Sequence, residues 1–240
     1  MGAAFSAAAA SSSSPAPPVV VLPSGLTVFT QHLARRTVCL MVVVAVGSRH
    51  EHAGNHGLAH VLEHMVFTGT RDFPESRTLS VTLDRLGASF NAYTSLDHTC
   101  YHILLPAQHL ETGLHLLAQM VLHPLLLDDK FSKEKEVVKQ EILKDQDDAH
   151  VAVQVAGYQA VFRGYPTLTH AIAGTMDDIN SHSTAKMQSF WREHYRLPHM
   201  ALIATGPVET AQIAALATTY FAPAQPHQSV PRRVHVPRFV

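Results

Sequence analysis

The apolar positions along the chain change period several times, and each change predicts an element. Val19–Leu22 and Leu26–Gln31 flank Pro23-Ser24-Gly25, which reads as two short strands around a turn. Val38–Val46 is the longest apolar run and is rich in β-branched residues, the pattern of a buried central strand. Between His56 and Phe67 the period becomes helical. At about 100° per residue, Leu58, Val61, Leu62, Met65 and Val66 gather on one side of the wheel. His60, Glu63 and His64 gather roughly 170° away. Asn55 is the expected N-cap of this helix and Gly69-Thr70 its expected end.

Further along, Arg77–Leu86 predicts an amphipathic helix ended by Gly87, and Ala88–Thr94 and Thr99–Leu105 predict two strands around Ser95-Leu96-Asp97-His98. Gln108–Leu122, Asp128–Ala149, Val151–Phe162, Ser183–Tyr195 and Val208–Tyr220 read as helices, and Met200–Thr205 as a strand. Gly164–Asp178 reads as an irregular loop. Strands mixed with longer helices predict an α+β fold: a two-layer domain with a mostly antiparallel sheet packed against helices. The folded domain is expected over residues 19–222. Residues 1–18 form an uncharged Ala/Ser/Pro tail of the disordered kind, and residues 223–240 a Pro-, His- and Arg-rich, linker-like extension.

Composition narrows the function. A hydrophobic content of 46% with 15% charged residues suits a globular chain with a core. The formal net charge of −1 gives no electrostatic case for nucleic acid, and no stretch is long and apolar enough to span a bilayer. Cys39 and Cys100 sit inside apolar runs and read as small core residues, without a disulfide framework. The absent signal peptide and disulfide pattern lean toward an intracellular location, cytoplasmic before mitochondrial. Met1-Gly2-Ala3-Ala4-Phe5-Ser6 fits the loose myristoylation pattern at Gly2.

The polar side of the motif helix carries the chemistry. Two imidazoles at i and i+4 lie about one turn apart and can reach one zinc ion. Glu63, one residue before the second imidazole, leans toward the same point and can act as a base on water. The pattern is H-x-x-E-H. In a chain with 18 histidines the short motif carries little weight alone, since a histidine pair on a solvated helix face would look the same. Catalytic zinc sites usually have a third protein ligand. Glu134 and Glu141, about two turns apart in the Asp128–Ala149 helix, share a face flanked by Val137 and Val138, and either could supply it. The remaining histidines, among them His52, His56, His98 and His115, read as surface residues of a His-rich chain.

The surrounding words resemble the inverzincin metallopeptidases: pitrilysin, insulin-degrading enzyme and the mitochondrial processing peptidases. Gly57-Leu58-Ala59-His60 through Met65-Val66-Phe67-Thr68-Gly69-Thr70 is similar to that family's G-L-A-H-x-L-E-H-M-x-F-x-G-T. Gly87-Ala88-Ser89-Phe90-Asn91-Ala92-Tyr93-Thr94, with Asp97-His98-Thr99-Cys100-Tyr101, resembles its hairpin G-A-x-x-N-A-x-T-x-x-x-x-T-x-Y. The resemblance implies that His60, His64 and Glu141 bind Zn2+. It implies that Glu63 takes a proton from the attacking water and passes it to the leaving amine, and that Glu134 is a second acid supporting the site. Ser89, Phe90, Asn91 and Ala92 would pair with an extended peptide substrate as an added strand. Family members carry a second half, in the same chain or a partner, that supplies an Arg/Tyr pair; no segment here can be assigned that role. The resemblance therefore implies a zinc metalloendopeptidase domain completed by a second domain, a second subunit or self-association. The alternative is a non-catalytic zinc-binding or structural subunit of a larger complex.

Overall fold

The computed structural model describes residues 17–222. The myristoylation pattern, the tail up to residue 16 and the extension from Pro223 lie outside the described residues. Six strands form one sheet: β1 (Val19–Val21), β2 (Thr27–His32), β3 (Thr37–Val44), β4 (Ser89–Thr94), β5 (Thr99–Pro106) and β6 (Met200–Gly206), in the order β1-β2-β6-β3-β5-β4. Every neighbouring pair is antiparallel except β2 and β6. The helices are α1 (Leu58–Met65), α2 (Ser76–Arg85), α3 (Leu110–Leu122), α4 (Asp128–Asp147), α5 (Ala149–Val161), α6 (Pro166–Thr169), α7 (Met176–Ser181), α8 (Thr184–His194) and α9 (Thr210–Tyr220). This is the α+β, mostly antiparallel architecture that the alternation of strands and helices predicts.

β3 shows how the layers work. Val38, Leu40, Val42 and Val44 are fully buried, while Cys39, Met41 and Val43 between them are partly exposed. One face of the strand therefore meets the helical layer, α3 packing on β3 and β5 and α9 on β2. The continuous apolar run suggested burial on both faces, but its pleat buries only one. Both cysteines are free thiols, Cys100 buried and Cys39 partly so.

α1 sits between β4, α4 and α8. Leu58, Val61, Leu62 and Met65 enter the core, as their helical spacing requires. The helix does not start at Asn55. Its N-cap is Gly57, at φ +86°, and the capping acceptor comes from the preceding loop. The buried carboxylate of Glu51 accepts the Gly57 N–H on Oε2 and the Ala59 N–H on Oε1, each at 2.8 Å. Two otherwise orphaned donors are thus met by one charge at the positive end of the helix. A side chain on Gly57 would place its Cβ 2.5 Å from the Ala173 carbonyl oxygen, so glycine here is a matter of both φ and space. The helix also ends earlier than Gly69-Thr70: Met65 is its last residue, and its carbonyl accepts from the backbone N–H and hydroxyl of Thr68.

Elsewhere most boundaries shift by one or two residues, and two departures are informative. α4 stops at Asp147 because Asp148 turns extended and caps α5, its side chain accepting the His150 N–H at 2.8 Å. The stretch expected to be irregular contains α6 and the start of α7, the latter opened by a Thr175–Asp178 capping box. α5 buries none of its residues, and Val153 and Val161 stand exposed.

Candidate metal centre and cleft

α1 and α4 lie side by side, and their polar faces meet. His60 and His64 project from α1 with ring centroids 4.8 Å apart and planes at 83°. Glu141 Oε2 lies 3.6 Å from His60 Nε2 and 3.3 Å from His64 Nε2. These three donors fall within 4.8 Å of one another. For metal bonds of about 2.0–2.1 Å, the edge of a ligand tetrahedron is roughly 3.3–3.4 Å, so the donor set fits zinc in both chemistry and spacing. Glu134, about two turns earlier on α4, places Oε2 3.4 Å from His64 Nδ1, the far side of the same ring. Of the two candidate third ligands, Glu141 therefore meets both imidazoles, and Glu134 meets only one of them, at its other nitrogen. Val138 is buried beside them, whereas Val137 is exposed, so only one of the two valines marks the inward face.

Glu63 is the least exposed acid of the motif, at 9%. Its Oε2 accepts a short hydrogen bond of 2.6 Å from the Thr94 hydroxyl, at the end of β4. Burial raises its pKa above the ordinary carboxylate value, against the opposing pull of the Thr94 hydrogen bond and the His64 charge. The two imidazoles diverge. Burial, with His64 nearby, lowers His60 to about 4, so that ring is neutral near pH 7. Burial also pulls on His64, but hydrogen bonding to Glu134 and the charges of Glu141 and Glu63 outweigh it and raise its pKa.

These groups line a cleft of about 680 Å³ together with Phe67, Thr68, Ser76, Ser80, Asn91, Ala92, Lys130 and Lys133. Asn91 and Ala92 thus face the centre. Ser89 and Phe90 belong to the same strand but do not line the cleft, and Phe90 packs its ring 5.9 Å from Phe67. β4 ends the sheet among the described residues, and the Ala92 N–H is met by its neighbour's own Asn91 Oδ1 at 2.9 Å. Thr94 received no role from sequence reasoning. Its signal was available in the hairpin word Asn91-Ala92-Tyr93-Thr94, but only the fold brings its hydroxyl to Glu63. The buried hydroxyls of Tyr101 and Tyr195 share a 2.6 Å hydrogen bond.

An open six-stranded sheet packed with adjoining helices that bring together two histidines and a glutamate, with two further acids beside them, has the architecture of a metal-dependent hydrolase domain. The chain belongs to the insulinase family, peptidase family M16, whose pattern its residues 27–175 match. It is 33% identical over 201 residues to human mitochondrial cytochrome b-c1 complex subunit 1, covering 83% of this chain and 41% of that one. It is 33% identical over 204 residues to an uncharacterized zinc protease of Mycobacterium leprae, covering 83% and 45%. Among solved structures it superposes on a protease from Helicobacter pylori with a TM-score of 0.84 at 25% identity, over 91% of this chain and 53% of that one. The chain spans less than half the length of these curated relatives.

Proposed function

We propose that this chain is the catalytic domain of a zinc metalloendopeptidase acting on extended peptides and completed by a second half. The observation that carries the reading is the meeting of His60, His64 and Glu141 within one ligand sphere, with Glu63 on the same cleft. Zinc held by those three residues would supply Lewis-acid polarisation of the scissile carbonyl and make water more acidic. Glu63 takes the proton of the attacking water as its oxygen adds to the carbonyl carbon. It then delivers that proton to the amine nitrogen as the C–N bond breaks. A carboxylate raised above its ordinary pKa by burial suits both halves of that exchange. Thr94 holds the acid in place, and Glu134 holds the His64 ring. An incoming peptide strand runs along β4 and replaces the Asn91 side chain at the Ala92 N–H. Relatives about twice as long support a second domain, a second subunit or a second copy closing over the cleft.

The test is zinc content together with cleavage of a quenched fluorescent peptide, for the chain alone and with a separately supplied second half. Glu63→Gln is expected to keep zinc and lose about 10²- to 10⁴-fold in activity. His60→Ala is expected to lose zinc at this centre. Cleavage that survives Glu63→Gln overturns the proposal. Zinc without cleavage under either condition would support the alternative, a non-catalytic zinc-binding or structural subunit of a larger complex.

A further inference from the structure

We propose that Glu51, His56 and His170 form a second divalent-cation site, of the zinc class, at the start of the motif helix. The proposal is independent of peptidase activity. It begins with a second set of two imidazoles and a carboxylate whose donor atoms lie within 4.8 Å of one another.

His170 shows what the set lacks. Its Nδ1 lies 3.1 Å from the Pro166 carbonyl, which can only accept, so Nδ1 carries a hydrogen. Its Nε2 faces two more acceptors, the Ser48 carbonyl at 3.1 Å and Glu51 Oε2 at 3.3 Å. A neutral ring would turn a bare lone pair toward both oxygens. Either a second proton or a cation resolves that conflict. The 3.3 Å separation is the tetrahedral edge expected for bonds of about 2.0–2.1 Å. The same 3.3 Å recurs between His64 Nε2 and Glu141 Oε2 in the first cluster.

His56 decides between the two. Its ring lies 4.1 Å from that of His170, and its Nδ1 is buried with no hydrogen-bond partner among the described residues. A proton on His170 satisfies the oxygens but leaves this nitrogen orphaned and sets a second imidazole against a charged one. A metal ion uses both rings. Imidazole and carboxylate donors suit zinc and its neighbours. The Nδ1–H of His170 on a backbone carbonyl is the orientation that metal-binding histidines commonly show.

The backbone is prepared for such a site. Glu51 is 2% exposed and immobilised by two N–H groups of the helix start. The segment after His170 comes so close to His56 that a Cβ on Gly174, at φ +72°, would lie 2.8 Å from the His56 carbonyl oxygen. A cation here staples the segment from α6 to Gly174 onto the helix that presents His60 one turn later. Its role is positional, holding the origin of α1.

The experiment measures zinc per chain after equilibration with a competing chelator that removes weak surface zinc. The wild-type chain is expected to bind two equivalents, His170→Gln one, and the His60→Ala/His64→Ala double variant one. Adding His56→Asn to that double variant should remove the last equivalent. Circular dichroism confirms that each variant is folded. Cadmium NMR of the wild-type chain gives a second readout that needs no ligand-deleting variant to fold: two resonances are expected, and one overturns the proposal. A single wild-type equivalent, or a retained equivalent indifferent to His56→Asn, also overturns it. Ring-nitrogen NMR would then show both nitrogens of His170 protonated, assigning the cluster to an ion pair with Glu51.

Discussion

Removing the Thr94 hydroxyl tests the link between β4 and Glu63, the proposed catalytic acid. Thr94→Val is nearly isosteric, so it opens no cavity, and what changes is the 2.6 Å donation to Glu63 Oε2. A hydrogen bond to a charged group is worth about 1.5–3 kcal/mol net, equivalent to roughly 10- to 150-fold in an equilibrium constant. The bond favours the ionised carboxylate over the protonated one, against the burial that disfavours it. Its loss raises the Glu63 pKa further and moves the acid limb of the pH profile of kcat/KM upward. On that limb the variant should lose roughly 10-fold or more, by the same arithmetic. On the alkaline side, where Glu63 is ionised in both proteins, the two should converge. The assay is peptide cleavage across the pH range for the wild type, Thr94→Val and Thr94→Ser, which keeps the hydroxyl. An acid limb unmoved in Thr94→Val, or moved as far in Thr94→Ser, refutes the reasoning.

Four further outcomes are expected. Glu63→Gln should stabilise the metal-free protein near neutrality. Burial raises the folded-state pKa of Glu63, so its destabilising charge is fully present above that pKa and gone below the ordinary carboxylate value. In urea titrations the gain should therefore shrink as pH falls through that window, and a gain that grows instead contradicts the assignment. Tyr101→Phe should cost about 1–3 kcal/mol in unfolding free energy, because the Tyr195 hydroxyl loses its buried partner. In ultraviolet titration of the wild type these two tyrosines should stay protonated well past the others, since burial raises both, and the fold should lose stability as pH rises above 10. Gly57→Ala should destabilise by about 1–2 kcal/mol for the left-handed φ alone, and by more for the clash with Ala173, read from the thermal midpoint.

The motif helix was legible because one period governs both its faces: burying Leu58, Val61, Leu62 and Met65 leaves His60, Glu63 and His64 no direction but the cleft. The pairing with α4 was half legible. Glu134 and Glu141 share a face by turn counting, but which one meets both imidazoles depends on how α1 and α4 align, and no local pattern carries that. The cap of α1 was misread because the sequence offers Asn55 at the expected place while the acceptor arrives from Glu51 across a loop. His56 was read as a surface residue for a related reason. Its neighbour His170 is remote in sequence, and only the passage of the α6–α7 region against the helix start brings the rings together. The limit throughout is contact between distant segments, which periodicity does not encode.

β6, the last made of the described strands, lies between β2 and β3. Until β6 has left the ribosome, the sheet can form only as two unjoined ribbons, β1-β2 and β3-β5-β4, each with an open edge where β6 will lie. The sheet cannot zip up from its N-terminal end. Its central position is filled by the most distant segment, which raises contact order and delays closure. During that interval the exposed edges of β2 and β3 are open to any other extended chain, so synthesis rate and chaperone access bear on this domain's yield as much as the stability of the finished fold.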